Sequence, residues 1–483
     1  MDIGKLKLKI INGLIWTFAE RMLSQMITLV ISILLARILL PSDYGSIAII
    51  LVFINIANVF VNTGFGEALV QRKEYSSIEY SSMFYFALLV SSFMYVGIYM
   101  IAPLVAVFYD FPILTDTLRI LALKLPLASI NTIQRAFVSK NMIFKKVFIS
   151  TSGSVLISGT FGLILAACGA GIWSLVVQNL LCTITEILIL FYVIPWRPSM
   201  SFSFCAIKEI IYSALQLAFS SMINAMYCEM YNLTIGKVFD MSSLAFYNRG
   251  NQFPALIFSN IDLVIGRVLF PAMTQISDDL ILLKNASRKS LKLNAMILYP
   301  FLAILFCIAP SLIEVLLTQK WLMALPFLQL GCFYFICQPI QTINWQILKS
   351  LGRSDLCLKL EILKKIIGII ILVISFKYSL YVVACGNVLV AFLSMVVNVV
   401  TVSKFINYTL KDQLFDIFIF LIFSMCSAVA MYSIQIVSTN IYFLIFIQPL
   451  LGISVYVVLL IIAGNSEFKY FIEVVHKRMK EDV

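Results

Sequence analysis

Apolar stretches follow one another along almost the whole 483-residue chain, and only short polar segments separate them. A helix needs about 20 apolar residues to cross the hydrocarbon core of a membrane, and it satisfies its own backbone hydrogen bonds there. The pattern therefore predicts an all-α polytopic membrane protein with about fourteen transmembrane helices. We predict these helices at 12–37, 45–63, 81–109, 117–138, 147–168, 172–194, 209–236, 245–270, 291–317, 323–348, 358–377, 380–403, 414–435 and 440–463.

The composition agrees with a membrane protein, since 61% of the residues are hydrophobic and only 12% are charged. A soluble domain carries about 25% charged residues. The net charge of +11 comes from basic residues scattered among short loops, which does not indicate a nucleic-acid partner. It fits the excess of Lys and Arg that cytoplasmic loops of membrane proteins carry.

The distribution of basic residues predicts the orientation of the chain. If the N-terminus is cytoplasmic, the loops on the opposite side hold only Arg37, Lys237, Lys320 and Lys377, and the other loops hold many more Lys and Arg. This alternation predicts a multi-pass protein with both termini in the cytoplasm.

A short polar break interrupts the apolar pattern in LLARILLPSDYGSIAII, residues 34–50. Pro and Gly end helices, and Ser and Asp cap them, so this break predicts a tight outer hairpin.

A shift of 200 residues places Ala36–Gly45 over Gly236–Ala245, with Arg37 on Lys237. We predict two parallel six-helix bundles, 1–200 and 201–405, and a segment 406–483 with two extra helices and a basic cytoplasmic tail. Two such halves form a cleft that opens to either side in turn, as in an alternating-access transporter.

Charged and amide side chains inside predicted helices are candidates for function, because charge in the hydrocarbon is costly. The fourth predicted helix carries Lys124, Asn131 and Arg135, and the eighth carries Arg249 and Gln252. Cations outnumber acids on these two helices, which favours an anionic partner in a cationic cavity. Arg135 has an alternative interpretation as a residue that extends to the cytoplasmic surface.

Other polar residues in the helices have a structural alternative. Arg21 lies beside Glu20 on the first helix, and Glu229 lies on the seventh. A structural ion pair and a functional role are both open for these residues. The amides Asn55 and Asn58 are interpreted as hydrogen-bonding residues between packed helices.

The sequence contains no pattern typical of catalysis or of a metal site. The single histidine, His476, lies in the C-terminal tail, and no GxxxxGK[ST] phosphate-binding loop occurs. No large loop is present to hold a glycosyl-transfer site. We therefore expect a transporter that is not an enzyme and has no cofactor or metal.

One long stretch resembles a known family. GLIWTFAERMLSQMITLVISILLARILLPSDYGSIAIILVFINIANVFVNTGFGEALVQRKE, Gly13–Glu74, is similar to the start of Wzx-type polysaccharide flippases of the multidrug/oligosaccharidyl-lipid/polysaccharide (MOP) superfamily. The most specific parts are LAR-x-L-x-P-x-D-Y-G and G-F-G-x-A-L-V-Q. The resemblance implies two six-helix bundles in a V shape, in the bacterial inner membrane. It also implies transport of undecaprenyl-pyrophosphate-linked oligosaccharide repeat units for O-antigen, capsule or exopolysaccharide synthesis.

The resemblance further implies a proton or sodium gradient as the energy source, with Glu20 or Glu229 as the coupling carboxylate. The implied partners are the lipid-linked oligosaccharide and membrane lipids, while binding of a polysaccharide polymerase or chain-length regulator stays open. Two other functions also stay open: a cation-coupled multidrug exporter of the same superfamily, and a membrane glycosyltransferase or polysaccharide polymerase. The exporter would favour an acidic cavity, and the enzyme would need a large extramembrane loop.

Overall fold

The computed structural model describes residues 3–61, 77–437, 440–469 and 473, and within these ranges the chain is helical without strands. The helices are α1 Ile3–Ile38, α2 Pro41–Val61, α3 Ser77–Phe108, α4 Leu114–Leu121, α5 Lys124–Asn141, α6 Phe144–Ala167, α7 Ile172–Val193, α8 Phe204–Val238, α9 Met241–Gln275, α10 Leu280–Leu317, a 3-10 helix Gln319–Ala324, α11 Leu325–Ile336, α12 Gln338–Ser350, α13 Ser354–Ser375, α14 Leu380–Ile406, α15 Leu410–Val437 and α16 Ile441–Ile462. The predicted all-α class is confirmed.

Ten spans in the described part of the chain are long and apolar enough to cross a membrane. The number fourteen stays a prediction. Two predicted helices are each divided in the structure: 117–138 becomes α4 and α5, and 323–348 becomes the 3-10 helix, α11 and α12. Proline explains the three breaks, because Pro126, Pro326 and Pro339 lie in the first turns of α5, α11 and α12 and have no N–H to continue the preceding helix.

The chain divides into two compact units, Met1–Ala245 and Phe246–Val483. In the first unit α1 packs on α6, α6 on α7, α5 on α7 and α2 on α8. In the second unit α10 packs on α11, α15 and α16, and α13 packs on α14. The predicted domain boundaries at 200 and 405 and the implied V shape stay predictions.

The polar break after α1 is a turn of only two residues, Leu39 and Leu40. The second helix was predicted to begin at 45, but α2 begins at Pro41, where the missing N–H and the fixed φ of proline suit the first helical position. The Asp43 carboxylate accepts a hydrogen bond from the Leu40 N–H at 3.1 Å. The polar residues of the break therefore form the first turn of α2.

Gly45 lies where α2 meets the start of α9 within the first unit. A Cβ at this position would be 1.7 Å from the Met241 carbonyl oxygen, a distance that no side chain tolerates. The backbones approach so closely only because residue 45 is glycine. This contact explains the glycine of the D-Y-G motif.

A turn of the same length recurs 200 residues later. α1 ends at Ile38 and α2 starts at Pro41, while α8 ends at Val238 and α9 starts at Met241. The second turn uses a different cap, because the Asp240 carboxylate accepts from the Ser243 N–H at 2.7 Å. The G-F-G-x-A-L-V-Q segment at 64–71 lies outside the described residues.

An apolar cluster fixes the position of α5 against α3. Met83, Ile133 and Ala136 are buried in it, and the Tyr80 and Phe137 rings pack edge to face with their centroids 6.3 Å apart. Ile133 and Ala136 share one face of α5. The other face is left for the polar residues of the helix.

Candidate functional site

The polar face of α5 packs against α7 in the first unit. Lys124, the first residue of α5, donates from Nζ to the Asn179 side-chain oxygen at 3.3 Å. Three turns further along α5, Arg135 donates from Nε to Glu186 Oε1 at 2.8 Å. Two predicted cavity residues thus lie on one helix, and each is positioned by a polar residue of α7.

Arg135 forms an ion pair that also reaches α6. Its Nη2 contacts the same Glu186 oxygen and donates to Thr151 Oγ1 at 3.1 Å. The Arg135 side chain is 42% exposed, whereas Glu186 is only 10% exposed. The cation therefore has an internal counter-ion and still presents part of its surface. The alternative of Arg135 as a simple surface anchor does not account for this buried acid.

The sequence pattern of candidates did not include Glu186, Asn179 or Thr151. A signal for the first two was present, since Asn179, Thr183 and Glu186 recur at helical spacing on one face of α7. Thr151 carries no comparable signal, because hydroxyl side chains are common in membrane helices.

The net charge of this face is positive. Lys124 and Arg135 are the two cations, and Glu186 is the acid that contacts Arg135. Asn131 lies between them on α5, and its side-chain oxygen is buried without a hydrogen-bond partner in the described structure. An ammonium group, an amide and a guanidinium group in this order form a surface that suits an anion with several oxygens, because N–H donors bind phosphate oxygens strongly. We call Lys124, Asn131 and Arg135 the α5 cationic face.

Glu229, a candidate coupling residue, joins α8 to α2. Its Oε1 accepts from Asn55 Nδ2 at 3.1 Å, and its Oε2 accepts from Asn232 Nδ2 at 2.7 Å. Within the described residues these partners are neutral amides, and Glu229 forms no ion pair. Asn55 bonds across two helices, as its interpretation as a residue between packed helices requires.

Glu20 and Arg21 are half-buried on α1. The Arg21 Nε atom is buried without a hydrogen-bond partner among the described residues. No described hydrogen bond or ion pair joins either residue to the α5 cationic face. The structure thus places Lys124, Asn131 and Arg135 together and leaves these two on a separate helix.

The predicted residues of the second unit form a compact group near the 3-10 helix. Arg249 is 7% exposed, and its Nη1 donates to Gln252 Oε1 at 2.7 Å. Its guanidinium carbon lies 5.4 Å from the centroid of the Trp321 ring, within the range of a cation–π contact. The burial and the stacking give Arg249 a fixed position in the fold.

In the described ranges, no group of three or more His, Cys, Asp or Glu side chains is arranged so that it could hold a metal ion. The cysteines whose side chains the structure describes are free thiols, namely Cys168, Cys182, Cys228, Cys307, Cys332, Cys337, Cys357, Cys385 and Cys426.

The model of the family described as "Polysaccharide biosynthesis protein" matches residues 34–326. The lipopolysaccharide biosynthesis protein WzxC of Escherichia coli (strain K12) is 22% identical over 376 residues, which are 77% of this chain and 76% of WzxC. Residues 34–326, which the family model matches, include the predicted hairpin and the α5 cationic face.

Comparison with solved structures identifies the fold. The lipid II flippase MurJ in an inward closed conformation aligns with a TM-score of 0.74 and 16% identity, over 93% of this chain and 98% of MurJ. An inward-facing multidrug-resistance MATE transporter of the MOP superfamily aligns with a TM-score of 0.59 and 12% identity, over 81% and 98% of the two chains. The predicted MOP-type fold is confirmed.

Proposed function

This chain belongs to the polysaccharide biosynthesis protein family, and on that premise we propose that it is a flippase for lipid-linked oligosaccharides. The substrate is an undecaprenyl-pyrophosphate-linked repeat unit that moves from the cytoplasmic to the periplasmic leaflet of the bacterial inner membrane. The transported units serve the synthesis of a surface polysaccharide.

The α5 cationic face is the observation that carries this proposal. A pyrophosphate bears negative charge and many acceptor oxygens, and it needs fixed donors to leave the headgroup layer. Lys124 is held by a neutral amide at 3.3 Å, so its charge is available to a ligand. Arg135 uses Nε and Nη2 on Glu186 and Thr151 and retains further N–H donors.

The proposed mechanism has no covalent step. The pyrophosphate binds at Lys124 and Arg135. The Asn131 amide donates a hydrogen bond to a polar group of the substrate beside the pyrophosphate, or accepts one from it. Alternating access then exposes the same face to the opposite side, and hydration of the pyrophosphate there releases it. Arg21, Arg249 and Gln252 are proposed as further residues that bind the substrate during transport.

Ion coupling is assigned to Glu229, with Glu20 as the second candidate. The Glu229 carboxylate is held by two amides at 3.1 and 2.7 Å and by no described cation. It can therefore take up a proton or a sodium ion without first breaking an ion pair. Binding of the ion and binding of substrate then favour different conformations of the transporter.

The orientation follows from the alternation of basic loops, which supports cytoplasmic termini. A polysaccharide polymerase and a chain-length regulator are candidate partners on the periplasmic side. No nucleic acid is part of the proposed function.

Deletion of the gene tests the proposal in cells. We expect lipid-linked repeat units to accumulate in the membrane and the surface polymer to be lost, because synthesis continues while transport stops. Expression of the wild-type chain should restore the polymer. Normal surface polysaccharide in the deletion strain would contradict the proposal.

The same strain distinguishes the multidrug-exporter alternative. Loss of the surface polymer can itself change drug susceptibility, so the matched control is a mutant that lacks the first glycosyltransferase and therefore the polymer. If the chain is a flippase, the deletion strain and this control should be equally susceptible to cationic drugs. Drug hypersensitivity beyond that control, with intact polymer, would favour the exporter.

A further inference from the structure

A cationic pocket lies in the second unit, away from every candidate residue discussed above. Its volume is about 310 Å³, and its lining combines one face of α10 with two residues that follow α16. The lining residues are Asn285, Arg288, Lys289, Lys292, Ser466 and Glu467. We call this the α10 pocket.

Arg288 is fixed in the pocket wall by a buried acid. Asp416 of α15 is 1% exposed, and its two oxygens accept from Arg288 Nε and Nη2 at 2.8 Å each. The Tyr408 hydroxyl also donates to Asp416 at 2.8 Å. This bidentate pair orients the guanidinium, and Nη1 takes no part in it.

Lys292 connects the pocket wall to the segment after α16. Its Nζ lies 3.1 Å from Glu467 Oε1 and 3.7 Å from Asp416 Oδ1. Burial opposes ionisation of Glu467, but hydrogen bonds from Ser466, its backbone and Lys292 outweigh burial and hold the pKa of this carboxyl below its usual range. Glu467 is therefore ionised at neutral pH.

The lining carries a surplus of positive charge. Arg288, Lys289 and Lys292 contribute three cations, while Glu467 and the buried Asp416 that pairs with Arg288 contribute two anions. The formal charge is +1. Asn285 and Ser466 add neutral hydrogen-bonding groups. Such a lining suits a phosphate group, which offers several acceptor oxygens to cations and neutral donors at once.

The surroundings of the pocket are apolar and exposed. Ile461 and Ile462, at the end of α16 and four to five residues before Ser466, are 61% and 77% exposed. Exposed side chains of this kind on a membrane-spanning helix face lipid chains. The pocket thus combines a cationic centre with an apolar border, as a lipid with a charged headgroup requires.

We propose that the α10 pocket binds the phosphate of an anionic membrane phospholipid. Basic pockets between membrane helices on the cytoplasmic side bind anionic headgroups, and the orientation predicted from basic loops places the start of α10 on that side. This proposal goes beyond the flippase function and does not depend on it, because the bound lipid is not the transported substrate.

Two other ligands offer phosphate oxygens to the α10 pocket, namely the pyrophosphate of a lipid-linked sugar and free inorganic phosphate. The apolar border favours a lipid over the free ion. A pocket of about 310 Å³ is comparable in size to a single phospholipid headgroup, which agrees with a phospholipid as the occupant.

Native mass spectrometry of the purified full chain in detergent tests the proposal. Dioleoylphosphatidylglycerol is titrated against dioleoylphosphatidylcholine, with inorganic phosphate and undecaprenyl pyrophosphate in separate arms. We expect phosphatidylglycerol to bind more tightly than phosphatidylcholine and inorganic phosphate. Undecaprenyl pyrophosphate should bind at the substrate site, and its binding should be unchanged in the pocket variant described next. Equal binding of the two phospholipids, or tighter binding of phosphate or undecaprenyl pyrophosphate at this pocket, would overturn the proposal.

The double variant Lys289→Gln with Lys292→Gln locates the binding in the pocket. Each lysine near an anionic headgroup contributes about fivefold in affinity, so the double variant should bind phosphatidylglycerol about 25-fold more weakly. Lys404→Gln with Lys411→Gln is the matched control, because it removes the same charge from exposed lysines outside the lining. An equal loss in both variants would contradict a built site.

Glu467→Gln is a second variant that tests the pocket if the double lysine variant does not fold. Removal of the lining acid raises the formal charge of the pocket from +1 to +2, so affinity for phosphatidylglycerol should rise about fivefold. Unchanged or weaker binding would mean that the ion pairs of the pocket serve the fold alone.

Discussion

At the scale of single residues, Glu186 separates the roles of the two cations on α5. Arg135 lies against this buried acid, whereas the hydrogen-bond partner of Lys124 is the neutral amide of Asn179. Loss of a charge that is paired with a buried acid leaves the acid uncompensated and costs stability. Loss of Lys124 leaves no such acid behind. The two cations should therefore respond differently to substitution.

Arg135→Gln should lower stability as well as transport. Because the Arg135 side chain is 42% exposed, water reduces the cost to about 1–2 kcal/mol. The Tm of the purified protein measures this loss. The double variant with Glu186→Gln should recover most of the Tm but not the transport, since the substrate still lacks its guanidinium. A double variant less stable than Arg135→Gln alone would contradict the pairing.

Glu229→Gln should remove coupling to an ion gradient. The amide cannot take up a proton and binds sodium poorly, so the initial rate of transport in vesicles should no longer respond to an imposed proton or sodium gradient. Glu20→Gln is the matched control and should keep the response. A gradient response that survives in Glu229→Gln and disappears in Glu20→Gln would transfer the role to Glu20.

At the scale of elements, the turn between α1 and α2 defines how tightly the first unit packs. Proline begins α2, Asp43 caps it and Gly45 admits the Met241 carbonyl. The Pro, Ser, Asp and Gly residues of this stretch predicted a break between two helices, and the structure has one there. They could not predict the helix start at Pro41, because a proline reads equally well as a turn residue and as the first residue of a helix.

Gly45→Ala should destabilise the protein more than other glycine substitutions in the first unit. A Cβ 1.7 Å from the Met241 oxygen forces the backbones apart, at a cost of about 1–3 kcal/mol or more. Gly97→Ala on α3 is the matched control, since nothing lies within 4 Å of its Cβ position. Equal Tm values for the two variants would show that the approach at Gly45 is not tight.

Sequence patterns predicted the elements better than the site. Apolar periodicity predicted the all-α class, because a membrane allows few alternatives to helices. The breaks before α5 and α12 were missed, since proline inside an apolar run is compatible with both a kinked and a divided helix. The pairing of Arg135 with Glu186 was missed as well, because the partners lie 51 residues apart and no local pattern joins them.

At the scale of the whole molecule, the alternation of charges predicts which side each loop faces. Asp110 follows α3, and Arg288 lies on the first part of α10. With a cytoplasmic N-terminus these positions fall on opposite sides of the membrane. The orientation decides from which leaflet the substrate enters.

Reporter fusions after Asp110 and after Arg288 test this orientation. An alkaline phosphatase domain should be active after Asp110, which is predicted to be periplasmic, and inactive after Arg288. A green fluorescent protein domain should give the opposite pattern. The same result at both positions would contradict the predicted topology.

Flipping is measured most directly in vesicles that contain the purified protein and an undecaprenyl-pyrophosphate-linked repeat unit. A glycan-modifying enzyme added outside the vesicles modifies only glycan that is in, or reaches, the outer leaflet, and the modified fraction is measured. With wild-type protein this fraction should rise from about one half to nearly all as flipping supplies the inner pool. Lys124→Gln and Arg249→Gln, incorporated at normal protein levels, should each leave the fraction at the value of protein-free vesicles. Full activity in both variants would contradict the claim that cationic residues within the membrane bind the substrate, and no activity with wild-type protein would contradict the flippase itself.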